Sequence, residues 1–126
     1  MKCLFVRSPF ARWIVDGVKT IEYRSKASNI RGRIGIIQSM SGTVVGDVEI
    51  VGCNWNEKLH VFEWTLANPR RYKTPQPFKG KPGAVVWIEV DLDPNTQDAA
   101  PKLSAAALNR EKTAYKKEIA SFLKRA

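Results

Sequence analysis

Short apolar runs punctuated by glycine fill residues 2–92, and few architectures accommodate such a pattern. Residues 2–7 read as a first strand. Ser8-Pro9 marks a helix start, since serine is a good N-cap and proline suits the first helical position. Phe10, Trp13 and Ile14 recur at helical spacing, and Gly17 is the natural stop. The free N–H groups at that helix start attract anions, with Arg7 and Arg12 close by. Residues 20–24 form a second strand and residues 25–32 a polar, basic loop. Residues 33–39 form a third strand, in which Gly35 marks a bulge or a close backbone approach. After a turn at Ser41-Gly42, residues 44–53 form a long strand that Gly46 and Gly52 allow to curve. Residues 60–66 alternate well and are closed by Asn68-Pro69. Residues 70–83, rich in proline, glycine and cations, read as a long surface loop, and residues 84–92 as the last strand. The pattern predicts an α+β fold: a small closed or nearly closed barrel of five or six strands, with a short helix after the first strand. Residues 93–101 read as a linker. A helix over residues 104–125 carries a stripe of Leu108, Tyr115, Ile119, Phe122 and Leu123 that docks on the barrel.

A chain of 126 residues is most simply one domain, divided here into a barrel over 1–92 and a linker with a basic helix over 93–126. It contains no run of about 18 apolar residues, so no membrane partner is expected. The first apolar run is too short for a secretory signal, which makes the cytoplasm the expected location. Cys3 and Cys53 read as buried thiols in a reducing compartment. With His60 far from both, they do not form a zinc-binding spacing, and neither a metal nor a cofactor is expected.

The formal net charge is +9. Such an excess points to a polyanionic partner, with nucleic acid the leading candidate. The cations are clustered. Arg70, Arg71, Lys73, Lys79 and Lys81 fall in a stretch without an acid, Arg24, Lys26, Arg31 and Arg33 form a second group, and the last helix carries a third.

Gly17-Val18-Lys19-Thr20-Ile21-Glu22-Tyr23-Arg24 concentrates chemistry. On a strand Glu22 and Arg24 share a face, and Lys19, in the preceding turn, reaches the same space. A desolvated lysine has a lowered pKa and can act as a base. Glu22 can accept hydrogen bonds from a base edge, or transfer protons if its own pKa is raised. Arg24 can present its planar fork to a phosphate. Trp13, Tyr23, Trp55, Trp64 and Phe78 are the aromatic candidates for base stacking. Core packing is the better reading for Trp13 and Trp87. Phe78, in a cationic loop, has little intrinsic reason to be buried.

The chain resembles the ASCH domain family of the PUA-like superfamily. The stretch from Trp13 to Arg24 fits the family's G-x-K-x-x-E-x-R signature. Arg31-Gly32-Arg33-Ile34-Gly35-Ile36 with Ser39, Gly46-Asp47-Val48-Glu49-Ile50, and the segments at 62–71 and 75–83 fit the rest, in order. The resemblance covers most of the chain, to about Leu92, and leaves out the C-terminal helix. It implies a small PUA-like barrel with helices at its mouth, and recognition of RNA or a nucleotide in a cleft between them. Lys19, Glu22 and Arg24 would form the floor, with Arg12 nearby and Ser39 and Trp64 at the border. The loop carrying Arg70, Arg71, Phe78 and Lys79 would grip backbone phosphates. Some relatives are enzymes. One branch removes the acetyl group from 4-acetylcytidine with a lysine base and a threonine nucleophile. Lys19 matches that lysine, whereas Glu22 occupies the threonine's place. Another branch acts as a ribonuclease. The expected function is therefore RNA or nucleotide binding. The alternative is a hydrolase in which Lys19 and Glu22 are catalytic, and a third class is a protein adaptor that uses the last helix.

Overall fold

The structure is a computed structural model, and it describes residues 1–80 and 86–124. The elements run β1 (Lys2–Val6), α1 (Phe10–Val15), β2 (Ile21–Arg24), β3 (Gly32–Gln38), β4 (Thr43–Asn56), β5 (Val61–Pro77), β6 (Trp87–Glu89), a 3₁₀ turn (Pro94–Thr96) and α2 (Ala105–Leu123). The strands form one sheet in the order β2-β5-β4-β3-β1-β6, parallel only between β1 and β3. The class is the expected α+β. The sheet curls but does not close. Three strands separate Trp64 of β5 from Trp87 of β6 in the order, yet their rings stack at 5.9 Å and 12° across the interior. Leu4, Ile14, Ile34, Ile36, Val48 and Ile50 fill the core beside them.

Three departures from the expected elements have local causes. Helix α1 begins at Phe10 with Pro9 at the N-cap, and no side chain caps it, so Ser8 does not have the role expected of it. Strand β5 does not stop at Asn68-Pro69. Glu49 faces Ala67 and Asp47 faces Arg70, so Asn68 and Pro69 both lie opposite Val48. They form a bulge, with Asn68 at φ +52°, and proline is tolerated there because no ladder bond is asked of it. The strand then continues to Pro77, so much of the expected loop is sheet. Its remainder from Lys81, and the start of the expected last strand at Ala84, lie outside the described residues.

Helix α1 lies against the sheet at Gly46. A Cβ there would collide with the Arg70 carbonyl oxygen and lie 2.7 Å from Val15 Cγ1. Asp47 beside it is fully buried. Its carboxylate takes an ion pair from Arg33, accepts the Tyr72 hydroxyl at 2.7 Å and lies 3.6 Å from Arg70.

The expected linker is pinned to β5. Tyr72 bridges Ala99, Lys73 N–H donates to the Asp98 carbonyl (2.8 Å), and Ala100 N–H donates to that of Arg71 (2.7 Å). Ser104 then caps α2, its hydroxyl accepting from Ala107 N–H at 3.2 Å. Part of the stripe on α2 lies against α1 and β2, while Leu123 stays exposed. Tyr115 packs edge-on to Trp13 (5.5 Å) and Phe10 (6.4 Å), and Phe122 lies 5.0 Å from Tyr23. Trp13 Nε1 donates to Glu111 (2.8 Å), which ties α2 to α1.

Candidate functional site

The sheet has a seam between the edge strand β2 and the end of β1. Arg24 of β2 crosses it, donating from Nη2 to the Phe5 carbonyl at 3.0 Å. At this seam a cleft of about 540 Å³ opens. Phe5, Val6, Arg7 and Phe10 form one wall, Lys19, Glu22, Tyr23 and Arg24 another, and Glu118, Ile119, Ser121 and Phe122 of α2 cover them.

Gly17, at φ +78°, turns the chain out of α1, and the Lys19 N–H donates to the Trp13 carbonyl (3.0 Å). This brings Lys19 back under the start of β2. Its side chain is only 3% exposed, and that of Glu22 8%. The Nζ donates to the Ile21 carbonyl (2.5 Å), lies 3.3 Å from Glu22 Oε1, and faces the rings of Tyr23 (5.1 Å), Phe10 and Tyr115 (both 5.7 Å). The other carboxylate oxygen accepts from Arg24 Nη2 (2.9 Å) and Nε (3.2 Å). One carboxylate thus aligns two cations at the cleft floor. Burial pulls the Lys19 pKa below its ordinary value, although the charge of Glu22 pushes it back up.

The aromatic cover has a measurable consequence. All three tyrosines, Tyr23, Tyr72 and Tyr115, have pKa values raised chiefly by burial, Tyr115 to about 12. At pH ~10 an unfolded chain has roughly half its tyrosines ionised, whereas the folded protein is expected to show less tyrosinate absorbance. Because the folded values lie above the unfolded one, this contribution to stability is complete below pH ~10 and is lost as pH rises through the folded values. Tyrosinate absorbance in the folded protein equal to that of the unfolded chain at that pH would contradict the burial of these rings.

The remaining expected residues lie elsewhere. Trp64 is buried below Arg24, its ring 5.8 Å from the guanidinium, and its Nε1 donates to the Lys26 carbonyl (3.1 Å). Ser39 is half-buried and lines no described concavity, although its N–H donates to Val6 of the cleft wall (2.9 Å). Phe78 is half-buried too, packed edge-on to Phe5 at 6.1 Å, so its ring supports the cleft wall from behind. Lys79 is exposed. Arg70 gives both Nη nitrogens to backbone carbonyls, at Pro94 (3.0 Å) and Gln97 (2.5 Å). Arg12 and Arg71 meet in a second concavity, which Val15, Gln38, Thr43, Val45, Tyr72, Lys73 and Pro75 complete. The early trio therefore converges on one cleft, and Arg70 and Arg71 are not part of its lining. The contributions of Phe5 and of Glu118 and Ser121 were not anticipated. The apolar stripe of α2 was the available signal for its docking, but nothing in it says which edge of the barrel it covers.

Among the described residues no group of His, Cys, Asp and Glu could hold a metal ion, and no helix is long and apolar enough to cross a membrane. The model of the ASCH domain family matches residues 4–92. This chain belongs to the ASCH domain family. The fold agrees with two crystal structures of point mutants of ZmASCH from Zymomonas mobilis. One is 17% identical, with a TM-score of 0.52 over 60% of this chain and 74% of that one. The other is 14% identical, with a TM-score of 0.51 over 90% of this chain and 94% of that one. No curated protein matches the chain. The family match ends at Leu92, before α2, so part of this ASCH domain's cleft is built by a segment outside the matched region.

Proposed function

We propose that this ASCH domain binds RNA by taking one nucleotide into the cleft beneath α2. The observation that carries the reading is the composition of that cleft. The buried Lys19–Glu22 pair and the half-buried Arg24 form the floor, Phe5, Phe10 and Tyr23 supply ring faces, and Arg7 adds an exposed cation. A volume of about 540 Å³ is within the usual range for a small-molecule site. The rings offer stacking surfaces, the carboxylate can accept from an exocyclic amine, and the guanidinium forks suit phosphate. Membership of the ASCH family and the net charge of +9 support the same partner. Two free thiols, Cys3 and Cys53, suit a reducing, cytoplasmic setting.

The test is titration of the protein with a panel of nucleotides and short single-stranded RNAs, followed by NMR. Shifts should centre on Lys19, Tyr23 and Arg24, and RNA affinity should fall steeply as salt rises, because each cation–phosphate contact releases counterions. Absence of RNA binding at low salt would refute the reading.

One observation favours a hydrolase on the same site: burial lowers the pKa of Lys19, as a general base requires. On this reading Lys19 would take a proton from the attacking group in a ribonuclease or in an amidohydrolase acting on acetylated cytidine. Glu22 occupies the position of the threonine nucleophile and pairs with the lysine instead, so the binding reading is preferred. Turnover that survived intact in Lys19→Ala would exclude the base.

A further inference from the structure

We propose that the second concavity, beyond α1, is a phosphodiester site that receives the RNA backbone as the strand leaves the nucleotide cleft. The inference rests on the proposed function and extends it from a mononucleotide to a strand.

The carrying observation is how the arginines are engaged. Arg33 gives Nη1 and Nη2 to Asp47, the Asn68 carbonyl and Glu49, and Arg70 gives both of its Nη nitrogens to backbone carbonyls. These two hold the fold together. Arg12 and Arg71 differ. Asp16, with its side chain 7% exposed, takes the Nε of Arg71 at 2.7 Å and that of Arg12 at 3.5 Å, one on each oxygen. One carboxylate thus aligns two guanidinium groups by their Nε edges. Among the described residues no protein acceptor meets their Nη nitrogens, or the ammonium of Lys73. All three cations line a concavity of about 250 Å³, with Gln38 and Thr43 as further polar groups. Three cations against one carboxylate leave a net positive site. Two planar forks suit a tetrahedral anion with several oxygens.

The walls argue against a second base pocket. Val15, Val45 and Pro75 offer no aromatic face, and the Tyr72 ring is buried with its hydroxyl committed to Asp47. The position argues for a continuous strand. Val6 lines the first cleft, and its ladder partner Gln38 lines the second. Phe10 lines the first and Arg12, two residues on along α1, the second. The two concavities therefore share a wall of α1 and the adjoining ends of β1 and β3.

The test compares a short oligouridine with uridine 5′-monophosphate as probes. The protein is the full chain as wild type, as the double variant Arg12→Gln/Lys73→Gln, and as a charge-matched control, Lys112→Gln/Lys117→Gln, on the exposed face of α2. Lys73 is exposed and the Arg12 side chain is 64% exposed, so the double variant should fold. Oligouridine affinity is expected to fall about tenfold, and the slope of log affinity against log salt to shrink by about 0.7, the value for one lost phosphate contact on a single strand. Monophosphate affinity and the control's slope should stay as in wild type. An unchanged oligouridine slope would overturn the second site and leave the nucleotide cleft standing. An equal loss with both probes, or an equal loss in the control, would also overturn it. If wild type binds neither probe, the parent reading fails first and takes this one with it.

Discussion

Asp47→Ala is expected to lower the unfolding free energy by about 3–5 kcal/mol, as measured by urea denaturation. The carboxylate is fully buried, and its removal strips three partners at once. The Tyr72 hydroxyl, in a residue 2% exposed, loses its acceptor and cannot turn to water. Arg33 and Arg70, whose side chains are 25% and 28% exposed, keep partial hydration and their other bonds, which moderates the cost. Tyr72→Phe removes one hydrogen bond while keeping the ring, and should cost only about 1 kcal/mol. The effect should also reach the cleft. Arg70 holds Pro94 and Gln97, and this segment leads the chain along β5 to α2. Faster amide exchange in α2 of the alanine variant would report that link. A loss below about 1 kcal/mol would show that the network is dispensable, against the rule for broken buried ion pairs.

The lower half of the site was legible because its chemistry is local. Lys19, Glu22 and Arg24 are within six residues of one another, and strand alternation alone places two of them side by side. The helical spacing of Tyr115, Ile119 and Phe122 likewise announced a docked face, which is found on Trp13, Phe10 and Tyr23. The continuation of β5 was hidden because Asn68-Pro69 is a strong stop signal in isolation. Only its register against Val48 shows that the pair forms a bulge. The sorting of the arginines was hidden for a similar reason. Arg70 and Arg71 are neighbours of identical type, yet one is engaged by carbonyls 24 and 27 residues away and the other by Asp16, 55 residues back. Composition marks both as cations, and tertiary structure alone decides which keeps its fork open. Phe78 reads as a ring without a shelter because its neighbours in sequence are polar. Phe5, which shelters it, comes from the first strand.

Glu22→Leu is expected to cost about 3–5 kcal/mol of stability, because it leaves the Lys19 ammonium almost fully buried without a counter-ion. Arg24 loses the same carboxylate but retains the Phe5 carbonyl and partial contact with water, so the larger share of the cost falls on Lys19. Glu22→Gln should cost less, since the amide oxygen can still accept one of the hydrogen bonds while the ionic attraction is lost. The double variant Lys19→Met/Glu22→Leu removes both buried charges and roughly preserves volume. Replacing an entire buried pair by apolar residues is often neutral, so most of the lost stability should return. RNA affinity should not return with it. The polar floor would be gone, Arg24 would no longer be aligned, and a base amine or a phosphate would meet an apolar surface. A variant as stable as wild type but defective in RNA binding would separate what this pair does for the ligand from what it does for the fold. If Glu22→Leu is tolerated within about 1 kcal/mol, the ammonium is not held by that carboxylate in the way its burial demands. If the double variant binds RNA as tightly as wild type, the cleft floor takes no part in recognition, and the binding surface must be sought elsewhere on the molecule.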